Sequence, residues 1–202
     1  MNWRKRVFDV VLACLLLAIL APVATLIAAW LLVRQGRPVF HVSIRCHAPG
    51  QVFGLIKFRT MHADPGDRGV SGGDKRGRIT RDGAWLRASR LDEVPQLLNI
   101  LRGDLSFVGP RPPLPEYVNR FEPLYSAVLR NRPGLTGLAT LVFHRHEAAL
   151  LAACRDAGET DAVYARRCVP RKARLDLIYQ ARQSLWLDAV LLWRTLRAIL
   201  AR

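Results

Sequence analysis

The chain has 202 residues, with 31 lysines and arginines against 16 acids and a formal net charge of +15. Half the residues are apolar, enough for one compact domain plus an appendage, and the charge implies a polyanionic partner: nucleic acid, anionic lipid or a phosphorylated substrate. No Gly-x-Gly-x-x-Gly or Walker loop is present, which argues against a Rossmann or P-loop nucleotide site.

Residues 10–33 carry no charge. As a helix they would be about 36 Å long, against a hydrocarbon core of about 30 Å, so they are long enough to span. The run is too long for a signal peptide and lacks an Ala-x-Ala cleavage pattern. Pro22 has no amide donor and interrupts a helix. Arg4, Lys5 and Arg6 precede the run, Arg34 and Arg37 follow it, and the positive-inside rule prefers both flanks in the cytoplasm. Two forms remain open: a kinked ordinary span, or a helix broken at Pro22 that enters and leaves the same leaflet. In the second form the carbonyl freed near residue 18 needs a partner, for which the Thr25 hydroxyl or a deep water is the candidate. This segment favours lipid over nucleic acid as the polyanion. Cys14, Cys46, Cys154 and Cys168 form no Cys-x-x-Cys pair and read as reduced, cytosol-facing thiols.

Residues 51–61 alternate as a strand, with Lys57 and Arg59 on one face and Ile56, Phe58 and Thr60 on the other. Two cations so spaced suit a diphosphate; a solvated basic face gives the same pattern. Residues 62–83 are rich in Gly, Asp, Arg and Ser and read as a mobile loop. Residues 81–91 then bring Arg87 five positions before Asp92.

Leu91, Val94, Leu98 and Leu101 fall at helical spacing. Ser89 reads as a cap, and Pro95 is tolerated only near a helix start, where the N–H groups have no internal partner. The helix is therefore expected to start close to Asp92, with Asp92 and Glu93 in its first turn. There the dipole favours the ionised form by roughly 0.3–1 kcal/mol. Adjacent helical residues point about 100° apart, so the two carboxylates hold different roles. Acidic first turns are common, and capping alone would explain the pair. The residues that follow favour chemistry. Gly103-Asp104 makes a turn, residues 105–108 a short apolar strand, and Gly109-Pro-Arg-Pro-Pro113 a locked backbone. An arginine fixed in that way offers its planar fork to phosphate oxygens.

Residues 116–130 read as a helix, and Arg132-Pro-Gly-Leu-Thr-Gly137 as a rigid turn carrying a cation. His144 and His146 do not match zinc spacing and read as surface histidines. Residues 147–157 and 161–167 are short helical patterns, and residues 174–183 form a helix with Asp176 and Tyr179 one turn apart. Residues 185–200 read as a last helix. Trp186 and Trp193 share one face and Arg194 and Arg197 can reach headgroups, which suits a helix in the membrane interface; a core-packing helix is the alternative.

Lys57-Phe-Arg-Thr-Met61, Leu91-Asp-Glu93, Gly103-Asp104, Ser106-Phe-Val-Gly-Pro-Arg-Pro112 and Arg132-Pro-Gly-Leu-Thr-Gly137, in this order, resemble the bacterial sugar transferase family, the monotopic polyprenyl-phosphate phosphoglycosyl transferases. The resemblance runs from Arg6-Val-Phe-Asp9 to Asp188. It implies transfer of a sugar 1-phosphate from a nucleotide diphosphate sugar, expected to be a UDP-sugar, to membrane polyprenyl phosphate. A nucleoside monophosphate would be released, in the first membrane step of glycoconjugate assembly. It implies a covalent phosphosugar on Asp92, and Mg²⁺ held by Glu93, which would also help deprotonate the acceptor. Lys57, Arg59, Arg87 and Arg111 would bind phosphate oxygens, with Asp176 a weaker candidate from its Asp-x-x-Tyr motif. It also favours the re-entrant form of the N-terminal segment. The sequence departs from the family pattern at Leu138-Ala-Thr140, where many members read Trp-Ala-Gln, through residues 143–168, and at Arg45-Cys-His47, so the sugar is left open.

The expected fold class is α/β, mostly helical with a small sheet. Residues 1–36 would form a re-entrant membrane helix-break-helix. Residues 37–202 would form a catalytic domain on the cytoplasmic face of the bacterial inner membrane, closed by an interfacial amphipathic helix. The expected partners are a nucleotide sugar donor, polyprenyl phosphate and inner-leaflet lipids, with no nucleic acid; a homodimer is left open. A membrane-anchored nucleic-acid binder would explain the charge but not Asp92-Glu93 or Arg111, and no reading motif supports it. A catalytically inactive scaffold for glycan assembly is opposed by the intact acidic pair.

Overall fold

The computed structural model of the protein describes residues 2–64, 69–70 and 72–201. The apolar N-terminal run forms one helix, α1 (Trp3–Gln35), whose Asn2 cap accepts from the Arg4 amide. The helix continues through Pro22, so the expected helix-break-helix is not a break in secondary structure. A proline removes one donor and frees one carbonyl, and long helical flanks on both sides absorb that loss. The Thr25 hydroxyl bonds the Ala21 carbonyl at 2.9 Å rather than the carbonyl near residue 18.

Two faces of α1 separate cleanly. Val7, Val11, Leu15, Ile19, Val23, Leu26, Trp30 and Val33 are exposed, three or four residues apart and so on one stripe. Lys5, Asp9, Ala13, Ile27 and Leu31 are buried against the rest of the chain. Both ends of α1 grip that same domain. Near the start, Lys5 pairs with Asp188, Arg6 donates to the carbonyls of Ile100 and Leu101, and the Asp9 carboxylate accepts from the Phe107 amide. Near the end, Arg59 donates to the carbonyls of Gln35, Gly36 and Arg37, and Gln35 donates to the Thr80 hydroxyl.

β1 (Phe40–Ala48) and β2 (Gln51–Phe58) pair as an antiparallel hairpin, in register from Phe40 opposite Phe58 to Cys46 opposite Val52. Part of the expected mobile loop, residues 65–68 and 71, lies outside the described residues. Gly73–Arg78 forms a 3₁₀ turn, Met61 bridges Ile79, and α2 (Arg81–Ser89) starts behind a Thr80 cap. A second 3₁₀ turn (Leu91–Glu93), α3 (Gln96–Arg102) and β3 (Ser106–Val108) follow. The helix expected over residues 116–130 is two: α4 (Pro115–Arg120) and α5 (Glu122–Val128). Pro123 lies in the first turn of α5, where its missing donor is harmless; inside one long helix it would cost a bond.

β4 (Gly134–Thr136) pairs with β3 in parallel, so the described residues carry two small two-stranded sheets. α6 (Leu138–Ala152) leads to α7 (Ala157–Val163), which runs through a π turn (Tyr164–Cys168) into α8 (Val169–Ala181). α9 (Leu185–Leu200) closes the chain, with Trp186 and Trp193 exposed and Asp188 and Leu191 buried. The hydrophobic core has three parts. One joins α4, α5, α6 and α8 around Tyr117, Phe143 and Cys168. The second joins α1, α3, β3 and α9 around Ala13, Ile100, Leu105 and Leu191. The third packs Ile27 and Leu31 of α1 on Phe58 and Leu86.

The Gly-Pro-Arg and Arg-Pro-Gly-Leu-Thr-Gly segments meet backbone to backbone beside β3 and β4. A Cβ on Gly109 would lie 2.2 Å from the Arg132 carbonyl oxygen, and one on Gly134 2.1 Å from the Gly109 nitrogen. Only glycine allows that approach, and it fixes the exit direction of Pro110-Arg111.

The ion pair at the root of α1 yields a stability prediction. Lys5 and Asp188 are 5% and 0% exposed. Replacing Asp188 by Ala leaves a buried ammonium unpaired and should cost about 3–5 kcal/mol, whereas the double substitution Lys5→Met, Asp188→Leu should recover most of that. Thermal unfolding of the detergent-purified proteins reads both. Equal losses in the single and double variants would contradict this account.

Candidate active site

The acidic pair does not sit where the capping signal placed it. The Ser89 hydroxyl donates to the carbonyls of Trp85 and Leu86, so it closes α2 instead of opening the next helix. Arg90 then takes a left-handed backbone (φ 60°) and turns the chain. Asp92 and Glu93 fall in the separate 3₁₀ turn, and α3 begins only at Gln96, behind Pro95.

That turn forms the floor of a cleft of about 420 Å³. Lys57 from β2, Arg87 from α2, Arg90, and Arg111 from the proline-locked loop line it together with Asp92 and Glu93. The Lys57-Phe-Arg-Thr-Met61 run divides its labour here. Lys57 faces the cleft and Phe58 enters the core. The Thr60 hydroxyl and Met61 sulfur both accept from the Arg87 guanidinium at 2.9 Å, which aims that arginine.

The two acids have opposite surroundings. Glu93 accepts from Arg111 at 3.1 Å and Arg90 at 3.3 Å. Burial alone would push it up, but those two guanidinium groups outweigh burial and hold it below the usual carboxylate range. Asp92 is 7% exposed, and its Oδ1 has no hydrogen-bond partner. Burial, and then the Glu93 charge, push its carboxyl up to about 6, against the pull of Lys57, Arg87 and Arg90. The dipole-stabilised first turn expected for Asp92 is thus replaced by a desolvated site. Lys57 is pushed down to about 8 by burial and by Arg45, Arg87 and Arg111, with Asp92 opposing. A bare, nearly neutral-range carboxylate beside a fully neutralised one is the pattern of paired acids with separate roles.

Two candidates from the sequence are not brought into this cleft. Arg59 follows the end of β2, leaves the alternation, and caps the C-terminus of α1 through three carbonyls. Asp176 lies on α8 beneath the cleft wall, 7% exposed, with burial raising it to about 7 against Lys172. Other residues line the cleft that sequence reasoning did not assign: Arg45, His144, Glu147, Tyr164 and Lys172. Arg45 shares the Lys57 face of the hairpin, and alternation along β1 could have found it. Burial and the nearby Arg111 push Arg45 down to about 10. Tyr164 reaches the cleft from the π turn, a geometry with no sequence signature, and its hydroxyl accepts from Lys172 at 3.3 Å. Lys172 also donates to Glu147 at 2.8 Å. His144 lines the cleft too, rather than an open surface.

Among the described residues no group of three or more His, Cys, Asp or Glu is placed to hold a metal ion by itself. A magnesium ion bound partly by substrate phosphates needs only one or two carboxylates. Glu93 lines the cleft with both arginines on its Oε1, and its Oε2 fits that more modest demand.

A desolvated carboxylate ringed by cations is suited to a phosphate-bearing substrate. The family model for bacterial sugar transferases matches residues 1–202, and the chain belongs to that family. It is 38% identical to the UDP-glucose:undecaprenyl-phosphate glucose-1-phosphate transferase of Caulobacter vibrioides, over 98% of this chain and 70% of that protein. It is 34% identical to the exopolysaccharide production protein ExoY of Rhizobium meliloti, over 96% of this chain and 84% of the relative. It is also 34% identical to an undecaprenyl-phosphate glucose phosphotransferase of Komagataeibacter xylinus, over 96% of this chain but 35% of that longer protein.

The electrostatics set a pH expectation. kcat/KM for the donor should fall about tenfold per pH unit below about 6 as Asp92 takes up its proton, and fall again above about 8 as Lys57 loses its charge. Donor consumption across pH 4.5–9.5 measures it. An acid limb near pH 4 would mean that burial does not govern Asp92.

Proposed function

We propose that this protein transfers a sugar 1-phosphate from a UDP-sugar to undecaprenyl phosphate through a phosphosugar intermediate on Asp92. The observation that carries it is the buried, unpartnered Asp92 Oδ1 among Lys57, Arg87, Arg90 and Arg111. The relatives named for undecaprenyl-phosphate sugar transfer support the substrate class.

In the first step Asp92 Oδ1 attacks the sugar-bearing phosphorus. The bond from that phosphorus to the bridging oxygen breaks, and uridine monophosphate leaves with the electron pair. In the second step a phosphate oxygen of the acceptor attacks the same phosphorus. The Asp92–phosphorus bond breaks, the carboxylate is restored, and a polyprenyl diphosphosugar leaves. One difficult displacement becomes two easier ones. Lys57, Arg45, Arg87 and Arg111 bind the phosphate oxygens, and desolvation strengthens each contact. Glu93 holds Arg111 and Arg90 in place at the floor of the cleft. Mg²⁺, held by Glu93 and substrate oxygens, would supply charge neutralisation at the diphosphate. Arg59 and Asp176 take no part in this scheme.

Asp92→Asn keeps the shape and removes the charge. Intact-mass analysis after adding UDP-glucose, first in a panel of UDP-sugars, should show a sugar-phosphate adduct on the wild type with Mg²⁺ and none on the variant. Adduct formation should also stop in excess EDTA and return with Mg²⁺. Turnover by Asp92→Asn would overturn the nucleophile, and full activity in EDTA would overturn the metal.

The same proposal extends to the membrane. α1 is the one helix among the described residues long and apolar enough to cross a bilayer. Yet both its ends are bonded to one domain, while an ordinary span needs its ends on opposite faces about 30 Å apart. The exposed apolar stripe then faces lipid, and α1 enters and leaves on the side of the catalytic domain, the cytoplasmic side. Pro22, already short of a donor, is the point where a bend costs least. The α9 face bearing Trp186 and Trp193 lies in the interface. With the native cysteines replaced and one cysteine placed at position 2, an impermeant thiol reagent should label permeabilised but not intact spheroplasts. Labelling of intact spheroplasts would make α1 an ordinary span.

A further inference from the structure

One wall of the catalytic cleft differs from the others in charge. Arg45, Lys57, Arg87, Arg90 and Arg111 make the rest of it cationic and suited to phosphate. On this wall α6 presents Thr140, His144, Glu147 and Leu151, three or four residues apart and so on one stripe. Glu147 accepts from Lys172 of α8 at 2.8 Å, and Lys172 also donates to the Tyr164 hydroxyl at 3.3 Å. Carboxylate and ammonium cancel, so the patch is neutral. It is also fixed in place. The Tyr164 ring is tilted against that of Tyr117 with centres 4.7 Å apart, and the Lys172 ammonium lies 5.1 Å from the Tyr164 ring centre. Burial pulls Lys172 down, but Tyr164 and Glu147 outweigh it and push the ammonium above the usual lysine range. Among the described residues the second Glu147 oxygen accepts from nothing in the protein.

We infer that Glu147, Tyr164 and Lys172 form the subsite that reads a pair of adjacent hydroxyls on the sugar of the donor. The inference rests on the transferase reading and goes beyond it by naming the residues that choose the sugar. Once its internal bonds are made, the trio keeps one carboxylate oxygen that accepts, and a phenol hydrogen and a third ammonium hydrogen that donate. A hydroxyl both donates and accepts, and two adjacent ones match that set. A phosphate does not: it has no hydrogen to give Glu147 and is repelled by its charge. The patch adjoins the phosphate-binding side of the cleft, since Arg111 is pushed up by Glu93 first and by Glu147 and Tyr164 after it. The sugar is bonded to the phosphorus that Asp92 attacks, so it lies beside those same phosphate contacts. Hydrogen-bonding groups left unpaired in a cleft reject an analogue that lacks the matching hydroxyl, and this discriminates more sharply than pocket size. The ribose of uridine carries an adjacent pair of hydroxyls too, but it departs with the nucleoside monophosphate, while the sugar stays on Asp92 through the second step.

The test uses the detergent-purified full chain and reads the rate of donor-only adduct formation by intact mass. The donors are the best UDP-sugar of the panel and its forms with one sugar hydroxyl at a time replaced by fluorine. The chemistry is at phosphorus, so these replacements leave the reacting bond alone. On the wild type, the rate at subsaturating donor should fall roughly 10- to 100-fold at two adjacent positions and stay within about threefold at the others. Glu147→Gln keeps an acceptor for Lys172 but puts an amide donor where the free oxygen was, and Tyr164→Phe keeps the ring and removes only the hydroxyl. Each should slow the parent sugar by about tenfold or more, and lose little further when the recognised hydroxyl is also absent, the non-additivity of a direct contact. Equal losses with every sugar would reduce the trio to a structural role and overturn the assignment. Coupling to the ribose instead, seen with the 2′-deoxyuridine form of the donor, would overturn it as well and give the patch to the nucleotide. Should Glu147→Gln fail to fold, the wild-type series and Tyr164→Phe still decide. Failure of the transferase reading itself would show differently, as a wild type that forms no adduct with any UDP-sugar, rather than an adduct that forms whichever hydroxyl is replaced.

Discussion

The architecture depends on a buried charge pair between the two extremes of the chain. Lys5, in the first turns of α1, and Asp188, in the first turn of α9, are paired at 2.5 Å, and the Tyr179 hydroxyl donates to the second Asp188 oxygen. Buried charges add little net stability, because desolvation offsets most of their attraction. Their use here is registry: an ammonium and a carboxylate that cannot be left unpaired tolerate one arrangement of α1, α8 and α9. Arg6 and Asp9 extend the same constraint to α3 and β3. Those are the elements that flank the acidic turn and lead to Arg111, so the apolar helix and the cleft are one rigid assembly.

Within that frame the cleft separates two chemically equal neighbours. Glu93 is neutralised by two arginines; Asp92, one residue away, keeps an oxygen bare and is desolvated. The separation is made by backbone. Arg90 in its left-handed conformation turns the pair away from α2, and the contact of Gly109 with Gly134 sets where Arg111 can point. Side chains far apart in sequence complete the wall, with Arg45 from the hairpin and Tyr164 from the π turn.

Local periodicity was legible where one element decides the outcome. The last helix, the hairpin strand through Lys57, the turn at Gly103 and the short strand before Gly109 all follow from spacing and turn chemistry. The errors fall at element ends. Alternation puts Arg59 on the Lys57 face, but β2 stops at Phe58, and beyond it the arginine answers to the open carbonyls of α1. Ser89 fits a helix start and a helix end equally well, because its hydroxyl can reach back to carbonyls three or four residues earlier. Pro22 marks a weak point in a helix, and nothing local says whether flanking turns will hold. Glu147, Tyr164 and Lys172 come from separate segments whose convergence is a tertiary fact. Asp176 shares its motif with Tyr179, but only Tyr179 is tied into the Lys5–Asp188 pair, and Asp176 turns toward the core.

The free stripe of α1 has a further meaning once both ends of that helix are fixed. A peripheral protein held by charge floats at whatever height the headgroups allow, and rolls. Here the helix can neither roll nor slide against its domain, since Lys5 is buried opposite the stripe and Arg59 holds the carbonyls at the C-terminal end. On the proposed membrane reading, the depth of immersion is then a property of the covalent chain. The altitude of Asp92 above the acyl chains is set before any substrate arrives, and the cationic side chains are spared the task of mooring the protein.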